Sequence, residues 1–160
     1  MPERVTLSQL AKRFGRAPLL IHAEVEKSMT VAAILVRDTA VKKFGTYQSA
    51  TGEFPAWEPL KPATVTQKAK AGTSGDDPLI GHYSGSRKNK VWPAPLRNTI
   101  SIKVEGWVAA VGTDDPLGKY HEYGTEDIPP RPYLRPSLYE QMAEIQAIMA
   151  GGLAAGLRKM

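Results

Sequence analysis

The chain has 160 residues, 42% of them apolar, with 14 Gly, 13 Pro and no Cys, which is the size of one domain with a real core and a large share of loop. The lack of cysteine excludes disulfides, thiolate catalysis and Cys-ligated zinc, and no apolar run approaches the ~20 residues that span a bilayer. The formal charge is +5, with the positive surplus in residues 1–99 and a slight acidic surplus in residues 100–160; the front half suits nucleic acid or an acidic partner, or is an ordinary basic surface.

The opening stretch MPERVTLSQL lacks a signal-peptide apolar region, so a soluble, unexported chain maturing in a reducing cytoplasm is expected. Thr6-Leu-Ser-Gln9 has the form of a capping box ahead of a short helix. Gly15 and Pro18 punctuate it, and Pro18 suits the first turn of a second helix. There Ile21, Val25, Met29, Ala32 and Val36 recur at spacings of three and four, and Gly45, after Lys42 and Lys43, sits where a C-terminal cap belongs. The spacing predicts a long helix over 18–44, one face of which must pack on a sheet or on a neighbouring subunit.

Residues 46–99 show no sustained period and contain Trp57, a Pro/Gly-rich run and the basic stretch Arg87-Lys-Asn-Lys90. They are expected to form a long loop or arm within a single domain of residues 1–160, with one short helix over 60–70. Residues 99–104 alternate apolar and polar, Glu105-Gly106 is a turn signal, and 107–112 is a second strand, so a β-hairpin is expected. Asp114 to Gly118 is expected to be a loop. Pro129, Pro130, Pro132 and Pro136 stiffen the connection to a last helix that Pro136 opens; Leu138, Met142, Ile145, Met149 and Leu153 form its apolar stripe, which Gly151-Gly152 weakens. The resulting fold class is α+β: a long N-terminal helix, a small antiparallel sheet with a hairpin, an extended central loop and a C-terminal helix.

Little here suits bond-making chemistry. His22, His82 and His121 form no metal-ligand spacing, and His121 and Glu122, being adjacent, do not face one target. Asp76-Asp77 and Asp114-Asp115 lie in Gly/Pro loops and are expected to be turn formers. There is no P-loop, GxGxxG or GxSxG. No catalytic residue, metal or cofactor is expected.

Three pieces in fixed order resemble the phage virion-morphogenesis or tail-completion families, the Mu- and P2-like proteins and related neck proteins. The stretch from Trp57 to Lys68 is similar to a W-x-P-L-x-x-x-T-x-x-x-K segment through Trp57, Pro59, Leu60, Thr64 and Lys68. Pro78-Leu-Ile80 and Leu96-Arg-Asn-Thr-Ile-Ser101 resemble the stretch leading into the family's first strand. Lys119 to Thr125 followed by Pro130-Arg-Pro-Tyr-Leu-Arg-Pro136 resembles the signature before the final helix, with Glu122, Gly124, Thr125 and Pro132 at its centre. The chain departs from the pattern after Ile80, where the family's T-G pair is replaced by the basic run of residues 81–95.

The resemblance implies a non-enzymatic structural subunit of the virion, assembled in the host cytoplasm. It implies a homomeric ring, most simply a hexamer, which joins tail to head as a tail-completion, terminator or joining ring and lets the genomic DNA pass. Partners would be further copies of the chain, other neck proteins, and tail-tube or portal and adaptor proteins, with no membrane and no small-molecule substrate. Arg87, Lys88 and Lys90 are candidates for the lumen or a neighbouring ring, where phosphate contacts are nonspecific. Arg131, Tyr133 and Arg135 are candidates for the subunit interface. Trp57, Pro59, Leu60, Thr64, Lys68, Glu122, Gly124, Thr125 and Pro132 are candidates for scaffold. The alternatives are a dodecameric head–tail adaptor or stopper, and a free nucleic-acid-binding protein.

Overall fold

A computed structural model describes residues 6–70, 72, 75–79 and 96–159. In chain order the elements are helices α1 (Leu7–Lys42), α2 (Pro62–Lys70) and α3 (Leu96–Thr99), strands β1 (Ser101–Glu105) and β2 (Val108–Gly112), and helices α4 (Pro116–Tyr123), α5 (Leu134–Glu140) and α6 (Met142–Arg158). The α+β architecture expected from the sequence is present.

The capping box forms: the Thr6 hydroxyl accepts from the Gln9 N–H and the Gln9 side chain accepts from the Thr6 N–H. The expected break at Gly15 and Pro18 does not. α1 runs through Pro18 as one helix of 36 residues, about 54 Å long. A proline inside a helix removes one N–H bond and crowds the preceding turn. Here the cap and the good helix formers Gln9, Ala11, Lys12 and Arg16 sustain the turns before it, and the packed stripe from Ile21 to Val36 sustains those after it. At the far end Gly45 adopts φ +87° and donates its N–H to the Pro78 carbonyl at 2.9 Å.

Of the span 46–99, residues 46–70, 72, 75–79 and 96–99 are described. Among its described residues, α2 and α3 form and Thr51 pairs with Phe54 across a tight turn. Trp57, Pro78 and Leu96 are buried. Leu79 holds φ +59°, a left-handed backbone that costs a branched residue about 1–2 kcal/mol. Its side chain packs against the core, which offsets that cost.

The hairpin has the antiparallel register Ser101↔Gly112 to Glu105↔Val108, with Gly106 at φ +57° in the turn. Trp107 belongs to the turn, not to the strand, and its ring meets His22 edge-on at 4.9 Å. Two strands alone are marginal in water; both lie against α1. The expected loop at 114–118 instead opens α4: the Asp115 carboxylate accepts from the Leu117 N–H at 2.9 Å and Pro116 takes the first turn. The expected single last helix is two, divided at Gln141.

The core joins the end of α1 to everything else: Ala40 and Phe44 meet Trp57, Leu96, Ile100 and Tyr133. α6 runs back antiparallel along α1. Its glycines permit that approach: a Cβ on Gly156 would lie 2.7 Å from the Ile21 backbone, and one on Gly152 would strike the Ser28 side chain. Glu24 ties the pair together, bonding both Lys159 and Lys27 at 2.7 Å. Those two ammonium groups, Lys159 foremost, hold the Glu24 carboxyl well below its usual range, at about 2.

Gly151 and Gly156 share α6 but differ in surroundings, since a Cβ on Gly151 meets nothing within 4 Å. Gly151→Ala is therefore expected to stabilise the fold by about 0.5–1 kcal/mol through helix propensity. Gly156→Ala is expected to destabilise it by about 1–2 kcal/mol, because the clash with backbone exceeds the same gain. Chemical denaturation of the two variants checks the opposite signs.

Candidate functional site

The three motif segments, far apart in sequence, meet at one corner of the molecule. Trp57 is 4% exposed, and its indole N–H donates to the Pro132 carbonyl at 3.1 Å. Arg131, also buried, donates from its guanidinium to the Glu58 carbonyl at 3.0 Å, and its backbone N–H bonds the His121 carbonyl at 2.7 Å. The Lys61 ammonium reaches the Asp127 carbonyl at 3.4 Å.

The centre of this corner is Glu122, which α4 presents toward the start of α5. One carboxylate oxygen accepts the N–H groups of Tyr133 and Leu134 at 2.8 and 2.9 Å. The other accepts the Arg135 backbone N–H at 3.0 Å and its Nε–H at 3.1 Å. The first N–H groups of a helix have no partner within it, and they favour a negative charge. Tyr133, the residue preceding α5, supplies no side-chain cap of its own, so Glu122 caps α5 from another helix. Four donors fill the roughly four acceptor sites of a carboxylate.

Gly124 ends α4 at φ +77°, with its N–H on the Tyr120 carbonyl, and a Cβ there would lie 3.0 Å from Ile128 and Pro130 backbone atoms. The Thr125 hydroxyl accepts from the Asp127 and Ile128 N–H groups, and Pro132 is fully buried. In the first motif segment, Pro59 is exposed and the Leu60 N–H donates to the Tyr47 hydroxyl at 3.0 Å. Thr64 and Lys68 lie a turn apart on α2, and the Lys68 ammonium bonds the Asp77 carbonyl; burial lowers its pKa.

The three candidate interface residues separate. Tyr133 is fully buried and Arg131 nearly so, and both make their contacts inside the chain. Arg131, expected to pair with a carboxylate across a subunit boundary, meets the Glu58 carbonyl of its own chain. Arg135 keeps a partly exposed side chain, already engaged by Glu122 in this chain rather than by a carboxylate across a boundary. Its guanidinium lies over the Tyr123 ring at 4.5 Å and the Phe54 ring at 5.3 Å. Arg87, Lys88 and Lys90 lie outside the described residues.

Beside the corner is an open cavity of about 660 Å³, mostly apolar. α1 forms its floor with Met29 and Val36, β2 one wall with Val111, and Leu138, Ile145 and Met149 of α5 and α6 the opposite wall. Sequence reasoning read an apolar stripe along the last helix; of it, Leu138, Ile145 and Met149 line this groove, while Met142 and Leu153 are exposed. It also missed Lys43, buried near the end of α1 and paired with Glu140 at 2.7 Å. The Asp115-Pro116 pair was the available sign of α4.

Among the described residues, no group of three or more His, Asp or Glu could hold a metal, and no helix is long and apolar enough to cross a membrane. Burial, with the nearby Arg131 charge adding to it, lowers the His121 pKa to about 4, so the ring is neutral near pH 7. Burial pushes the Tyr133 phenol up, and Glu122 and Asp115 add to the shift. His121 Nδ1, Arg131 Nε and the Tyr133 hydroxyl are buried without a hydrogen-bond partner among the described residues. Comparison with family models, curated proteins and solved structures finds no match.

Glu122→Ala strands three backbone donors and one guanidinium. It is expected to cost about 3 kcal/mol, and Glu122→Gln, which keeps one acceptor oxygen, about half as much; urea denaturation checks the order. For His121 the folded pKa lies below the unfolded one, so only the unfolded chain takes up the proton between pH 6.5 and about 4. Stability is full above 6.5 and falls as the pH drops through that window. Against a His121→Gln variant, the native protein is expected to lose on the order of 2 kcal/mol more over this range, measured by thermal unfolding at each pH.

Proposed function

We propose that the chain is a structural subunit of a tailed-phage neck, a tail-completion type protein that works by closing into a homomeric ring and not by catalysis. The observation that carries this reading is apolar surface left exposed among the described residues. α6, MAEIQAIMAGGLAAGLR, has only two charged residues along 17. One side of it packs on α1, while Met142, Leu153 and Leu157 share a neighbouring side and are exposed. Uncovered apolar surface of this kind marks a protein interface.

The motif geometry supports the same reading. The family-like segments build one rigid corner, with its charged centre saturated by internal donors, which suits a part that carries load and holds shape. A ring around the path of the genome needs a heterologous interface that closes by rotation, and a hexamer is the form the resemblance implies. The basic surplus of the front half would favour the DNA phosphates in its lumen.

Native mass spectrometry and light scattering of the purified full chain are expected to give one closed homo-oligomer, with six copies the leading expectation. Phage particles assembled without it are expected to accumulate unjoined heads and tails. A chain that stays monomeric and is absent from finished particles would refute the proposal.

A further inference from the structure

The apolar stripe that packs α1 into the fold does not stop where the fold stops. Phe14, Ile21, Val25, Met29, Ala32 and Val36 follow one another at seven, four, four, three and four residues, so they share one side of the helix, and Leu7 is seven residues before Phe14. α6 ends against Ile21 and cover reaches Ala17, which is buried; before it the described side chains of α1 are all exposed. Phe14 is 60% exposed and Leu7 86% exposed, although Val25, Met29, Ala32 and Val36 on the same side are buried. Leu19 adds a further 75% exposed side chain. The core-facing side of α1 thus extends past the core.

From this we infer that the N-terminal turns of α1, with Leu7 and Phe14 as anchors, dock into the groove between α1, β2, α5 and α6 of a second copy of the chain. This rests on the ring reading and names its contact. The two surfaces are complementary in form, a convex stripe and a concave apolar groove. They cannot meet within one chain: Phe14 and Met29 lie on one continuous helix, about 22 Å apart, so the free end cannot fold back onto the groove. A contact between unlike patches of identical chains is the kind that propagates from copy to copy and closes as a ring.

Charge agrees. The overhang carries Lys12 and Arg16 and, between Leu7 and Leu20, no carboxylate. Most of the groove wall comes from the acidic part of the chain. There the exposed side chains of Asp114 and Glu144, next in the chain to the lining residues Thr113 and Ile145, make no ion pair among the described residues. Of the cations that line the groove, Arg135 is paired with Glu122 and Lys119 makes no ion pair among the described residues. Opposed charges at a rim set register and steer the encounter.

The chain has no cysteine, so an introduced pair reports cleanly. Phe14→Cys mixed with Met149→Cys is expected to give a disulfide-linked dimer under mild oxidation. A chain carrying both substitutions is expected to give a ladder of covalent oligomers ending at the ring number. Phe14→Asp alone is expected to weaken assembly about tenfold or more, with Leu7→Asp acting the same way. Both side chains are exposed in the single chain, and an unchanged circular dichroism spectrum would show that the fold persists. An oligomer that forms normally, gives no 14–149 cross-link and ignores Phe14→Asp would overturn the docking and leave the ring standing. A native chain that never assembles would overturn both.

Discussion

One carboxylate holds the second half of the molecule in place. Glu122 stands on α4 but satisfies the first N–H groups of α5, so two helices separated by a proline-rich connection act as one piece. That junction sets the direction in which α5 leaves the corner, and through it the line that α6 follows along α1. It also positions the segment that Trp57 and Arg131 grip from the other side. The charge is tolerable in a buried place because every acceptor site is used. The same saturation gives the motif a physical reading: Glu, Gly and the prolines recur near one another because a cap, a positive-φ exit and a stiff return path are needed together.

Local interactions were legible in the sequence and distant ones were not. The Thr6 capping box, the helix at 62–70 and the hairpin around Gly106 depend on residues a few positions apart, and their patterns pointed to them. Pro18 misled because its local cost is real, while the packing that outweighs it lies on α6, more than a hundred residues away. Asp115 and Pro116 were legible as a helix start but equally as a turn, and only the helical residues after them decide. The division at Gln141 had no sign, since neither glycine nor proline occupies it.

The site was less legible than the fold for a related reason. Glu122 carries its role only if the donors of residues 133–135 are brought to it, and nothing in a one-dimensional pattern says so. Arg131 and Tyr133 look like surface residues by type. Their burial follows from Trp57, whose indole needs the Pro132 carbonyl and so draws the segment inward. The groove combines side chains from five elements, none of which alone signals a concavity. What the sequence did hold was the surplus: more apolar residues at helical spacing than one small domain has interior to place.

The glycines of α6 carry a mechanical consequence. Gly152 sits over Ser28 and Gly156 over Ile21, each a notch cut to the relief of the opposite helix. Sliding one helix past the other by a turn would lift a Cβ out of its place and push another against backbone, so the pair has a single axial position. Interdigitated at two notches and clasped by Glu24 at the end, α1 and α6 resist shear along their common length. A force applied to the protruding end of α1 would therefore be delivered to the body of the subunit undiminished, as through a splined shaft.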